Sequence, residues 1–306
     1  MSAQNTRLLP YGPDAIAEAA ALIADGWPVA MPTETVYGLA ADATNGEAVA
    51  RIYEVKGRPS FNPLIVHVRN LAQASEIAVL DEVARALAAQ YWPGPLTMVL
   101  PLREDVPIAP LVTAGLPTVA IRVPAHPAMQ ALLAATGRPL AAPSANASGR
   151  ISPTRAGHVL ASLGGRIKLI VDAGPTAHGL ESTIVALTGG APRLLRPGPL
   201  ELGIAAGTDE KIEAPGQLRS HYAPSRPLRL NAREAGAGEW LIGFGSVAGD
   251  ATLSASGNLV EAAANLFEKL HEADASAART IAVVPIPETG LGTAINDRLR
   301  RAAARR

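Results

Sequence analysis

The sequence predicts an α/β protein, with a sheet of mixed strand direction in its first two thirds and a smaller α/β domain after it. Three observations carry this. Short apolar runs and segments of helical period are interleaved up to about residue 205, but not in the strict alternation of a purely parallel sheet. The pattern lapses over 206–226, where Gly, Pro, Ser and charged residues gather. It returns over 227–306, a stretch long enough for one small domain. The expected units are a domain over 1–205, a linker over 206–226 and a second domain over 227–306.

A helix is expected over 13–25, with Asp14 at its start and Gly26 at its end. The apolar run 29–31, between two prolines, reads as a buried strand. Residues 47–55 read as a helix with Val49, Ile52 and Tyr53 on one side, and 63–68 is strand-like. A helix over 81–90 stops near Trp92-Pro93-Gly94-Pro95. Strands are expected at 96–100 and 118–123, a helix at 127–135 closed by Gly137, a strand at 140–142 and a helix at 154–163. Strands at 168–172, 182–187 and 192–195 complete the first domain. The second has strands at 228–230, 240–243 and 281–284, with helices at 259–275 and 292–304.

Composition narrows the function. Lysine plus arginine and aspartate plus glutamate both total 27, so no global charge draws the chain to nucleic acid or an anionic membrane. Cysteine is absent, which excludes disulfides, thiolate metal sites and a cysteine nucleophile. No apolar run approaches the ~18 residues of a membrane span, and the first ten residues do not read as a secretory leader. A cytoplasmic protein is expected. The P-loop, H-E-x-x-H and G-x-S-x-G strings are missing. A G-x-G-x-x-A string at 243–248 is followed by Gly249-Asp250 and turn-forming residues, not by the helix that a dinucleotide site needs.

Three segments concentrate polar chemistry. In Pro32-Thr33-Glu34-Thr35-Val36-Tyr37-Gly38-Leu39, hydroxyls and a carboxylate follow a buried strand, where α/β sheets bind ligands. The plain alternative is a capping turn. In Lys56-Gly57-Arg58-Pro59-Ser60-Phe61-Asn62-Pro63, two cations would project to one side, about 7 Å apart, if the chain is extended. They suit adjacent phosphates, although surface cations of this kind are usually only solvated. Lys56 stands out because only four of the 27 basic residues are lysine. In Ala142-Pro143-Ser144-Ala145-Asn146-Ala147-Ser148-Gly149, small residues leave the backbone open to a ligand ahead of a helix. Outside these segments, Arg122 inside an apolar strand needs a partner, either an anionic ligand or an internal carboxylate. His67, between valines, reads on its own as a core histidine.

Together these segments resemble the threonylcarbamoyl-AMP synthase family in its long form, a YrdC-like catalytic domain followed by a C-terminal domain. The resemblance runs through 32–39, 56–68, 92–100, 119–127, 142–146, 179–184 and 194–199. It continues in the linker as Pro215-Gly216-Gln217-Leu218-Arg219-Ser220-His221-Tyr222-Ala223-Pro224 and, more loosely, over 290–299. The family's K-x-R and S-x-N signatures stand here as Lys56/Arg58 and Ser144/Asn146.

The resemblance implies a twisted mixed open sheet with a concave cavity, followed by a Rossmann-like domain. It implies that L-threonine, bicarbonate and ATP give threonylcarbamoyl-AMP and pyrophosphate, for threonylcarbamoyladenosine modification of tRNA by a separate transferase. By position, Thr35, His67, Arg122 and Ser182 would hold threonine. Arg58, Asn62, Thr118, Ala142, Ser144, Asn146, Ser152, Arg196 and Tyr222 would hold ATP, with Tyr222 as a lid. Lys56 and Arg58 would be the catalytic cations. Mg2+ is expected on the triphosphate, with its protein ligands left open. The implied partners are the transferase machinery, with possible RNA contact and no membrane. Two other readings stand beside this one. A carbamoyltransferase is disfavoured by the lack of cysteine and the short chain. A double-stranded-RNA-binding or ribosome-associated module is disfavoured by zero net charge and few aromatics.

Overall fold

A computed structural model describes residues 5–207 and 212–304 of the chain. Part of the expected linker, 208–211, and the chain ends 1–4 and 305–306 lie outside the described residues. The first unit contains β1 (Arg7–Pro10), α1 (Pro13–Ala24), β2 (Val29–Met31), β3 (Gly38–Asp42), α2 (Gly46–Lys56), β4 (Ile65–His67), α3 (Leu71–Ile77) and α4 (Glu82–Tyr91). It continues through β5 (Leu96–Pro101), α5 (Pro110–Thr113), β6 (Thr118–Arg122), α6 (Pro127–Thr136), β7 (Leu140–Ala141), α7 (Ala156–Leu163), β8 (Leu169–Asp172), β9 (Thr183–Ala186) and β10 (Arg193–Arg196). The second contains β11 (Leu228–Arg229), β12 (Glu239–Gly243), β13 (Ala251–Thr252), α8 (Leu259–Ala275), β14 (Thr280–Val283) and α9 (Leu291–Ala303).

The ten strands of the first unit form one sheet in the order β1-β8-β2-β3-β7-β4-β6-β5-β9-β10. Parallel pairs such as β4/β6 and β5/β9 sit beside antiparallel pairs such as β5/β6 and β9/β10, so the sheet is mixed, as expected. The second sheet, β11-β14-β12-β13, is wholly parallel. Helix starts follow the sequence chemistry: Asn45, Asn70, Asp81 and Asn258 each accept first-turn amide hydrogens.

Sequence periodicity misses β1, β3, α3, α5 and β13. Strand β3, Gly-Leu-Ala-Ala-Asp, is buried along its whole length and so shows no alternation. Strand β1 is mostly exposed and depends on pairing with β8, 162 residues away (Arg7 opposite Leu169), which no local pattern reports.

Two sides of the large sheet position the site. Side chains alternate across a strand, and one face feeds a single large core under the helices, with Leu39, Val66, Met98, Ile121, Val185 and Ile170 in it. The opposite face is divided. Over β8, β2, β3 and β7 it is covered by α1 and α6 through Ala19, Ile23, Met129 and Leu132. Over β4, β6, β5 and β9 it presents a small patch of Ile65, Ala120, Val99, Ile184 and Ala186, covered not by a helix but by Ala214 of the linker. The candidate site lies at this helix-free end, beneath the linker. A third core joins the two units, with Val36, Ile151 and Leu180 of the first packed with Tyr222 and with Phe267 and Leu270 of α8.

Candidate active site

Strand register builds a polar row at the helix-free end of the sheet. His67 of β4 and Thr97 of β5 both stand opposite Arg122 of β6, on the face that carries Ile65, Ala120 and Val99. Ser182, just ahead of β9, joins the row through a 2.7 Å hydrogen bond between its Oγ and Thr97 Oγ1. The turn 33–36 closes over it. Thr33 Oγ1 accepts the amides of Thr35 and Val36 and donates to the Val36 carbonyl at 2.6 Å, so the capping role and the site role coincide. Arg122 donates to Glu34 Oε1 at 2.6 Å, to Thr35 Oγ1 at 2.8 Å and to the Gly94 carbonyl at 3.2 Å. It therefore has the internal carboxylate partner that a buried arginine demands, and it still faces the cavity.

The K-x-R segment is not extended, and this corrects the sequence reading. Lys56 is the last residue of α2, and Gly57 caps the helix in the left-handed conformation that glycine tolerates (φ 59°). Lys56 Nζ donates to the carbonyls of Ser144, at 2.6 Å, and of Asn146, so the lysine braces the S-x-N loop from behind. Arg58 reaches the cavity itself, held through its Nε and Nη2 by the carbonyls of Asn62 and Pro63. Arg196, at the end of β10, donates to the Ser182 carbonyl at 2.9 Å and to its Oγ at 3.1 Å.

These elements surround a small cavity of about 40 Å3. Of the expected residues, Thr35, Arg58, His67, Arg122, Ala142, Ser144, Ser182, Arg196 and Tyr222 line it. Lys56, Asn62 and Asn146 are buried just behind the wall, and Ser152 lies deeper, bonded through its hydroxyl to Glu181. Thr118 is not in the lining. It shares the inner face of β6 with Ala120 and Arg122 but stands four residues, ~13 Å, along the strand. Sequence reading assigned no role to Glu34, Thr97, Glu181 or Arg298. For Arg298 a signal existed, a charge on the apolar stripe of a helix. For Thr97 there was none.

Buried polar atoms without hydrogen-bond partners gather here, where each calls for an explanation. They include both amide atoms of Asn62, His67 Nδ1, Asn146 Oδ1, Glu34 Oε2, His221 Nδ1 and the Tyr222 hydroxyl. His67 is thus not the satisfied core histidine its neighbours suggest. Tyr222 is itself at φ 62°, an unfavourable backbone for a tyrosine.

Burial and the neighbouring Arg122 push the His67 imidazole down to about 3, so it stays neutral. Burial pushes the Lys56 ammonium well below the usual lysine range, and Arg58 adds repulsion. Arg58 is pushed down to about 10 by burial. The His221 imidazole is driven far down by burial and by the charges of Arg58, Lys56, Arg196 and Arg298. Burial pushes the Glu181 carboxyl up, but Arg298 and Arg196 outweigh it and hold the group low. The lining sets three arginines, Arg58, Arg122 and Arg196, against one carboxylate, Glu181. Among the described residues no cluster of three or more carboxylates or histidines could hold a metal, and both oxygens of Glu181 are engaged. No helix is long and apolar enough to cross a membrane.

Comparison with known proteins agrees with this geometry. The family model Sua5/YciO/YrdC, described as "Telomere recombination", matches residues 21–198, and the model for the threonylcarbamoyl-AMP synthase C-terminal domain matches 180–304. The chain is 41% identical to a threonylcarbamoyl-AMP synthase of Bacillus subtilis, over 95% of this chain and 93% of that one. It is 40% identical to the enzyme of that name from Pyrococcus abyssi, over 94% of each. The crystal structure of P. abyssi Sua5 complexed with L-threonine superposes with a TM-score of 0.90 at 38% identity, covering 97% of this chain and 98% of that one.

Proposed function

The chain belongs to the threonylcarbamoyl-AMP synthase family, and from that premise we propose how its cavity joins L-threonine, bicarbonate and ATP into threonylcarbamoyl-AMP and pyrophosphate. It is an adenylyl-transferring enzyme of tRNA modification. The observation that carries the placement is the convergence of three buried arginines, Arg58, Arg122 and Arg196, with partnerless polar atoms around one cavity.

Threonine sits on the polar row. Arg122, oriented by Glu34 and Thr35, turns its remaining N–H groups to the substrate carboxylate. Thr35, Ser182 and neutral His67 surround the rest of the amino acid. The nucleoside lies on the side of the cavity lined by Ile65 and Ala142, next to the S-x-N loop. Arg58, Arg196 and Ser144 face the triphosphate, with Lys56, Asn62, Asn146 and Ser152 supporting that wall. Bicarbonate takes up a proton and loses water to give CO2; the free threonine amine adds to its carbon and releases a proton, giving a carbamate, so that the net loss is one water. A carbamate oxygen then attacks the α-phosphorus, and pyrophosphate leaves with the bonding electron pair. The protein supplies position and positive charge, with no covalent intermediate. Tyr222 and the linker shield the labile carbamate and adenylate from water.

Mg2+ would enter with the triphosphate and take its ligands from phosphate and water, since among the described residues no cluster of carboxylates or histidines is there to hold it. A transferase acting on tRNA in the cytoplasm would consume the product. The test is pyrophosphate release by the purified protein with ATP, with threonine and bicarbonate each left out in turn. Release should fall to background in both omissions. Release indifferent to threonine would sink the reading.

A further inference from the structure

Helix α9 carries an apolar stripe of Ala294, Ile295, Leu299 and Ala302, and Arg298 lies on that stripe with no exposed surface. Its Nε donates to Glu181 Oε2 at 2.9 Å and its Nη1 to Asp297 Oδ2 at 2.8 Å. The guanidinium carbon stands 5.3 Å from the centre of the Tyr222 ring, and Nη2 is buried with no partner. The other oxygen of Glu181 accepts from Ser152 Oγ, and Glu181 lines the cavity. The same helix grips the linker. Arg301, bonded through Nε to Asp297, donates through Nη1 to the carbonyls of Gln217 and Leu218, and its own carbonyl accepts the His221 amide.

Packing alone does not call for a charge at this position. A leucine would continue the stripe, and replacing a buried ion pair by apolar groups is often neutral or stabilising. What the guanidinium serves is Glu181, a carboxylate walled into a cationic cavity, and Tyr222, the residue facing the nucleotide. We propose that Arg298 is a positioning residue for the nucleotide, through which the second domain fixes Glu181, Ser152 and the Tyr222 ring against bound ATP. The second domain is then part of the ATP site rather than a tether for the linker. This rests on the reading of the cavity given above, and it concerns the nucleotide half alone, since the threonine row belongs wholly to the first unit.

Two variants test it, Arg298→Lys and the double variant Glu181→Gln/Arg298→Gln, which leaves no unpaired charge. Both are followed by thermal unfolding, by calorimetric titration with adenylyl imidodiphosphate, and by separate KM values for ATP and threonine. Loss of charged hydrogen bonds should weaken nucleotide binding about tenfold in the double variant and severalfold in the lysine variant. The threonine KM should move less than about twofold. Wild-type nucleotide affinity in both folded variants would overturn the proposal and leave Arg298 a structural residue. An equal rise in both KM values would overturn it too. The parent protein in the same assay separates the two levels. If it releases no pyrophosphate with threonine, the functional reading fails whatever the variants do.

Discussion

Two loops rich in small residues follow strands in this molecule, and the first of them lines the candidate site. The loop 142–149 after β7 is Ala-Pro-Ser-Ala-Asn-Ala-Ser-Gly, and the loop 243–249 at the end of β12 is Gly-Phe-Gly-Ser-Val-Ala-Gly. In the first, small side chains leave room. Ala142 and Ser144 line the cavity, and a Cβ on Gly149 would meet nothing within 4 Å. In the second, the room is already filled by the chain's own backbone. A Cβ on Gly243 would fall 2.3 Å from the Val247 carbonyl oxygen, and one on Gly249 2.3 Å from that of Leu241. The turn folds back so that β13 can pair with β12, and no helix follows until Leu259. Small residues permit close approach of either a ligand or another strand. The two loops also differ in the cations near them. Lys56 and Arg58 stand beside the first, and no described cation is hydrogen-bonded to the second.

Substitution separates the two loops. Gly249→Ala forces a backbone shift in the second sheet and should cost about 2 kcal/mol, lowering the unfolding midpoint by roughly 5 °C or more. Its ATP KM, measured on the folded fraction, should stay within about twofold of the parent value. Ser144→Ala is the mirror case. Among the described residues the Ser144 hydroxyl makes no hydrogen bond, so its loss removes nothing from the fold. The unfolding midpoint should hold while the ATP KM rises about fivefold to tenfold, the value of one hydrogen bond to a charged ligand. A G249A protein of unchanged midpoint, or an S144A protein of unchanged KM, breaks the contrast.

The contrast also shows what the sequence makes legible. Mixed strand direction and a second, smaller α/β unit follow from how apolar runs and helical periods are interleaved. The decoy string at 243–248 is recognisable because no helix opens after it. The identity of the site residues comes from the family resemblance, and geometry then ranks them. Lys56 is a case in point. Its rarity marks it, but its position at a helix end turns it toward two carbonyls rather than into the cavity. Glu34, Thr97 and Glu181 escape sequence reading because their partners, Arg122, Ser182 and Arg298, lie 85 to 117 residues away and meet only through sheet order and domain packing. Strands β1 and β3 escape for the same kind of reason, one exposed at an edge and one buried throughout.

The smallest effect expected concerns protons, and it tests whether the first loop is an anion site. Lys56 and His221 are both held far below their ordinary ranges, by burial first and then by the surrounding cations. A triphosphate placed among these groups supplies the missing negative charge and raises both pKa values toward normal. The charged forms are thereby favoured in the complex and disfavoured in the free protein, so binding must take up protons. Affinity should be full at low pH and decline as pH rises through the values the groups have in the complex. Titration calorimetry with the Mg2+-bound nucleotide at about pH 8, in two buffers of different ionisation enthalpy, reads the uptake directly. A fraction of a proton up to roughly one per nucleotide is expected, because the two sites repel one another and compete for the same field. An enthalpy independent of buffer would mean that bound phosphate leaves the protonation of Lys56 and His221 unchanged, and would count against an anion site beside the S-x-N loop.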